Sequence, residues 1–345
     1  MLVVRNGRRP PRRARLVALG SHLPDRVLTN ADLERIVDTN DEWIVSRTGI
    51  RERRVSADHE AASDLAAHAA RQILPRGGLA PEDLDVLMVL TATADYLFPS
   101  TSSAVCGMIG ATNAASFDLM AGCTGFVYGL QQACALVESG QARSVLVVGA
   151  EVLTKFTDYT DRSTCILFGD GAGGALVVAG EEETTTGFLG FDLGTEPKGS
   201  EMLRIPGGGG RMPRPAPGHQ FIEMNGREVF RFATRAMVDS TTRLLAALEM
   251  DVAEIDLVVA HQANLRIIEH AAKRLGVPED RLYNNVDRFG NTSSASIPIA
   301  LAEAREIGRL HAGDLLLLVG FGAGLTWGST VVRYEPLADG EAGAA

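Results

Sequence analysis

Three residues in this 345-residue chain, Cys123, His261 and Asn291, have types and settings suited to acyl transfer. Cys123 stands in the small-residue run Ala121-Gly122-Cys123-Thr124-Gly125, at the start of a helical pattern over 125–139. A thiol at a helix N-terminus meets the positive end of the helix dipole and free backbone N–H groups. Both favour the thiolate, which is the nucleophilic form. His261 follows directly on the apolar run 255–260, at a strand end, where ligands of open α/β sheets gather. An imidazole there serves as proton partner or hydrogen-bond donor. Asn291 lies in a second small polar turn, Gly290-Asn291-Thr292, and its amide donates to an oxyanion without titrating. Brought to one point, a thiol, an imidazole and an amide make an acyl-transfer site.

Each residue also has a plainer reading. Cysteine is often a small buried hydrophobe, and Cys106, Cys134 and Cys165 are read that way, with Cys134 on the apolar face of the Cys123 helix. His261 alone reads as a satisfied strand-end histidine, and Asn291 as a helix N-cap. No metal site is expected, because His261 and His270 lack the i, i+4 spacing of a helical zinc pair. Gly169-x-Gly171-x-x-Gly174 matches a dinucleotide fingerprint in letters, but a short β-type run (175–179) follows where that motif needs a helix. No cofactor is expected.

The elements that must position these residues alternate in type. The runs 85–90, 144–148, 175–179, 255–260 and 314–319 are continuously apolar, which suits strands covered on both faces. Helical patterns fall at 61–74, 125–139, 228–249, 266–275 and 297–307, so an α/β layered fold is expected. The plan then repeats. Helix, acidic link and strand recur at 61–90 and 228–260. Cys123 and Asn291 open equivalent helices, and glycine turns close each half at 168–178 and 321–332. A tandem duplication is expected: an N-terminal half over 16–183 carrying the cysteine, and a C-terminal half over 184–345 carrying histidine and asparagine. The segment 207–218, GGGGRMPRPAPG, breaks the pattern as a loop, lid or disordered excursion.

Composition excludes several classes. Thirty-seven glycines point to many tight turns or close backbone approaches. Four cysteines without a Cys-x-x-Cys pair exclude a disulfide scaffold or zinc ribbon. A net charge of −10 argues against a nucleic-acid binder, although residues 1–15 form an acid-free arginine-rich extension. No apolar region of signal or membrane-spanning length is found, and a cytoplasmic protein is expected.

At these residues the sequence resembles the β-ketoacyl-acyl-carrier-protein synthase III family of condensing enzymes. The likeness runs from about Leu16 to Tyr334 and rests on six ordered motifs: DEWIVSRTGI (41–50), GCTGFVYGL (122–130), DRSTCILFGDGAG (161–173), HQANLRII (261–268), FGNTSSASIP (289–298) and GFGAGLTWG (320–328). It implies the thiolase-like five-layer αβαβα fold and decarboxylative condensation of an acyl-CoA starter with malonyl-acyl-carrier protein. Cys123 would carry the acyl group, and His261 and Asn291 would stabilise the thioester enolate. The backbone N–H groups of Cys123 and Ala323 would form the oxyanion hole. Trp43, Arg47, Arg162 and Asn264 match CoA-binding positions. Phe98 matches an acyl-pocket residue offered across a homodimer interface. Arg231, Arg266, Lys273 and Arg274 match the basic patch that receives the acidic carrier protein.

Thr124 departs from the family's usual alanine. A degradative thiolase would need a second cysteine within 320–328, and chain-elongating synthases use two histidines where this chain has His261 and Asn291. The alternative retained is a synthase III-like acyltransferase of secondary metabolism, using an unusual starter or a small-molecule acceptor.

Overall fold

The computed structural model describes residues 13–180 and 187–337. The arginine-rich start up to residue 12 and the junction expected at 183/184 lie outside them. Two sheets organise the chain. The first has the spatial order Ala14–His22, Asp170–Ala179, Ser144–Val152, Val86–Leu90, Ala115–Leu119. The second has the order Phe188–Thr195, Thr326–Arg333, Leu315–Gly322, Leu257–Ala260. Taken in this direction, each sheet makes two antiparallel pairings and then a parallel one, and the first adds a second parallel pairing to its edge strand. The same order with the same senses is the topology of a duplicated unit. The first strand begins at Ala14, two residues ahead of the expected start.

Five layers follow. Helix Ala62–Arg76 covers the outer face of the first sheet. Helices Gly226–Ala247 and Leu265–Leu275 cover the outer face of the second. Between the sheets lie Gly125–Glu138 and Ser296–Glu306, each packed against strands of both. Ser296–Glu306 is buried almost all round, as a helix in a central layer must be, and its sequence is correspondingly apolar on every side up to Ala302. All five residues of Val86–Leu90 are buried, which is why that strand shows no polar alternation.

The glycine run at 169–174 leads into the strand Asp170–Ala179 and opens no helix. The segment 207–218 is irregular, and its base is clipped by the two-residue strands Leu203–Arg204 and Glu223–Met224. The edge strand Ala115–Leu119, the helices Asp41–Thr48 and Thr101–Ile109, and the hairpin Arg26–Thr29 with Glu52–Val55 were not expected from the apolar pattern. Among the described residues no helix is long and apolar enough to cross a membrane.

Candidate active site

Cys123, His261 and Asn291 line one cleft. Cys123 and Asn291 reach it by the same local route. Each lies at or just before a short 3-10 turn, Gly122–Thr124 or Ser293–Ala295, that runs into a central helix. His261 comes from the end of Leu257–Ala260, where its N–H is held by Val319 O at 2.8 Å.

The nucleophile differs from its sequence expectation. Cys123 is only 7% exposed, and burial pushes its thiol up to about 11. The Ser293 hydroxyl and the N–H groups of Ala323 and Cys123 itself act in the opposite direction, but desolvation, joined by the nearby Glu151 carboxyl, outweighs them. At neutral pH the resting sulfur is therefore a thiol. The N–H groups of Cys123 and Ala323 are both turned towards the sulfur.

His261 is 1% exposed, and burial lowers its pKa to about 3, so it is neutral across the working range. Its Nδ1 lies 2.6 Å from Ser296 Oγ, which also accepts the Gln262 N–H at 3.3 Å. That leaves the serine hydroxyl hydrogen for Nδ1 and the imidazole hydrogen on Nε2. Ser296 thus selects the tautomer that donates from Nε2. The serine falls inside the FGNTSSASIP motif, but only the fold shows its partner.

Asn291 does not cap a helix; Thr292 and Ala295 hold those positions. Its backbone is clamped to the first half, N–H to Leu167 O at 2.8 Å and O from Gly169 N–H at 3.0 Å. Its Oδ1 accepts the Ser293 N–H at 2.9 Å, which leaves the amide NH₂ free to donate.

Two close approaches complete the centre. A Cβ on Gly322 would stand 2.6 Å from Cys123 Cβ and 2.9 Å from its Sγ. Thr124 Oγ1 donates to Ala121 O at 2.5 Å and pairs with the Thr326 hydroxyl, which also reaches Ala323 O at 2.9 Å. The departure at Thr124 therefore joins the nucleophile turn to the turn that carries Ala323.

The outer residues are placed as follows. The Trp43 indole is flanked by the guanidinium groups of Arg47 at 4.7 Å and Arg162 at 5.2 Å from its centroid. Asn264 lines the cleft, caps helix Leu265–Leu275 through Arg266 N–H, and donates to Arg47 O at 3.0 Å. Leu203, Met224 and Phe230 also line the cleft, and the sequence reading had not singled them out. Phe98 is not in it: the ring is 85% exposed in this chain. Arg231, Arg266, Lys273 and Arg274 are all exposed on two packed outer helices, with Arg227 and Arg235 one turn to either side of Arg231. Arg231 also pairs with Glu228. Cys134 and Cys165 are buried in core clusters, and Cys106 is half-buried. Among the described residues no cluster of histidine, cysteine and acidic side chains could hold a metal.

Known proteins resemble this chain closely. The family models for 3-oxoacyl-[acyl-carrier-protein (ACP)] synthase III and for its C-terminal part match residues 117–197 and 245–334. The β-ketoacyl-[acyl-carrier-protein] synthase III of Caldanaerobacter subterraneus is 48% identical, over 93% of this chain and 98% of the relative. The synthase III crystal structure from Thermus thermophilus is 48% identical with a TM-score of 0.87, covering 94% of this chain and all of that one. The priming β-ketosynthase of the R1128 polyketide biosynthetic pathway is 35% identical with a TM-score of 0.89, over 95% and 98% of the two chains.

Proposed function

Because this chain belongs to the β-ketoacyl-[acyl-carrier-protein] synthase III family, we propose that its cleft condenses an acyl-CoA starter with malonyl-acyl-carrier protein and so begins fatty-acid chains. The observation that carries this reading is the meeting, in one cleft, of a thiol between two backbone donors, a neutral imidazole and an outward amide. Cys123 attacks the thioester carbonyl, and the Cys123 and Ala323 N–H groups take up the developing oxyanion. The thiol proton leaves with the CoA sulfur, so no permanent base is needed. Malonyl-carrier protein then loses carbon dioxide. The enolate accepts hydrogen bonds from His261 Nε2–H and the Asn291 amide, attacks the acyl carbonyl, and releases the Cys123 thiolate, which regains a proton from water.

Trp43, Arg47, Arg162 and Asn264 are read as the nucleotide end of the CoA site, with the adenine entering beside the Trp43 indole. The exposed arginines and lysine of the outer helices suit an acidic carrier protein. A homodimer is also proposed. The edge strand Ala115–Leu119 leaves one side without a strand partner, and beside it Leu97, Phe98, Phe117 and Met120 expose 81%, 85%, 40% and 75% of their surface. In that reading Phe98 belongs to the partner's acyl pocket. A cytoplasmic location is proposed with them, since acyl-CoA and carrier-protein substrates are soluble.

The test is to offer the protein a panel of acyl-CoAs, read the mass added at Cys123, and then supply malonyl-carrier protein to each adduct. Adduct formation followed by a β-ketoacyl product is expected. An acylated Cys123→Ala protein would contradict the assignment of the nucleophile.

A further inference from the structure

Behind the nucleophile, Gly149 and Glu151 lie on one side of the strand Ser144–Val152, because side chains alternate along it. That side faces the turn following Asn291. Gly149 lets the turn close in, since a Cβ there would stand 2.5 Å from Ser294 O. Glu151 is 0% exposed and reaches the same turn with its carboxyl group. Among the described residues no cation forms an ion pair with it.

The contacts of this carboxyl divide between its two oxygens, and the Ser293 hydroxyl is a further donor beside it. Oε2 faces donors: Thr93 Oγ1 at 2.8 Å, Ala92 N–H at 3.1 Å and Thr91 Oγ1 at 3.3 Å. The two threonine oxygens accept backbone N–H groups from Val152 and Thr93, which leaves their own hydrogens for Oε2. Oε1 is different. It lies 2.8 Å from Ser294 Oγ, and Ser294 Oγ lies 2.7 Å from Leu90 O. A serine hydroxyl has one hydrogen, and an ionised carboxylate and a carbonyl both need one. With the carboxylate charged, one of these short contacts would set lone pairs against each other in a fully buried place. A hydrogen on Oε1 resolves the conflict: Oε1–H donates to Ser294 Oγ, and Ser294 donates to Leu90 O. Burial without a countercharge also raises the Glu151 pKa. Asp170, equally buried, makes the contrast. All its contacts are with donors, the N–H and O–H groups of Ser56 and Thr154.

We propose that Glu151 is a neutral carboxylic acid in the resting enzyme and a positioning residue for Asn291. Its hydrogen ties the Asn291 turn, through Ser294, to the strand behind the nucleophile. Its neutrality keeps negative charge away from the place where the oxyanion and enolate form. The positioning role rests on the condensation reading above, whereas the protonation does not.

Infrared difference spectra between wild type and Glu151→Gln at neutral pH test the protonation. A protonated-carboxyl band present in the wild type and missing in the variant is expected, and a wild type without that band overturns the proposal. For positioning, Glu151→Leu should slow malonyl decarboxylation about tenfold more than it slows acylation of Cys123, with Glu151→Gln restoring most of the loss. Equal loss in both half-reactions overturns the positioning role. The infrared readout needs no turnover, so it stands even if no acyl-CoA proves to be a substrate.

Discussion

Replacing Gly322 by alanine tests how tightly the nucleophile is held. Gly322 is not among the positive-φ glycines, so alanine is compatible with its backbone and the perturbation is one added methyl group. That methyl would lie 2.6 Å from Cys123 Cβ, 2.9 Å from Sγ and 3.2 Å from N, where ordinary contact begins at 3.4 Å. The shortfall at Cβ is thus about 0.8 Å against a backbone-linked atom that no rotamer change can move. Cys123 has little room to recoil, because the Thr124–Thr326 pair and the bond to Ala121 O hold the turn beside it. Misplacing a reacting atom by about 1 Å costs on the order of 100-fold in rate. Gly322→Ala should therefore form the acyl-enzyme about 100-fold more slowly, with KM for acyl-CoA little changed, and lose about 1–3 kcal/mol of stability to overpacking. Rapid-quench intact-mass measurement of acylated Cys123 reads the rate. Gly209→Ala, where no atom lies within 4 Å of the new methyl, is the control. Acylation of Gly322→Ala at the wild-type rate would refute the claim that this contact sets the position of the sulfur.

Other expectations follow from the same geometry. Burial holds the folded His261 near 3 against 6.5 when unfolded, so the unfolded chain takes up the proton first. Stability should then fall as pH drops from about 6.5 towards 3, and urea titrations should show a shallower pH slope in His261→Ala. Thr326→Val should cost about 1 kcal/mol and Thr124→Val more, because it also loses the bond to Ala121 O, and the double variant should cost little beyond Thr124→Val, since the Thr124–Thr326 bond is shared. Fully additive losses in urea unfolding would show that the two hydroxyls act independently. Reversing charge at Arg266 and Lys273 should raise KM for carrier protein far more than KM for acyl-CoA, and equal effects would count against the docking face.

The fold was legible where burial writes itself into the sequence. Val86–Leu90 and Leu315–Gly322 are covered on both faces, so their apolar runs are unbroken, and the duplication appeared because such runs recur in order. Ala115–Leu119 was not legible, since its residues are half-exposed at a sheet edge and follow neither period. The three candidate site residues were readable because each stands at a strand or helix end in a small-residue context. The state of Cys123 was not. Its place near a helix start is visible in the letters, whereas the burial that keeps it a thiol involves the close approach of Gly322, about 200 residues further along. Ser296 and Glu151 have no signal of their own, for their roles lie in which hydrogens their neighbours have left to give.

The short ribbon of Leu203–Arg204 and Glu223–Met224 lies apart from the two large sheets, yet Leu203 and Met224 form part of the cleft wall. Tailoring and chemistry are therefore carried by separable parts. None of Cys123, His261 and Asn291 is carried by the ribbon, and Leu203 meets the Asn291 turn only by way of Phe168. A change in the ribbon therefore reshapes the wall of the cleft before it reaches the residues on its floor.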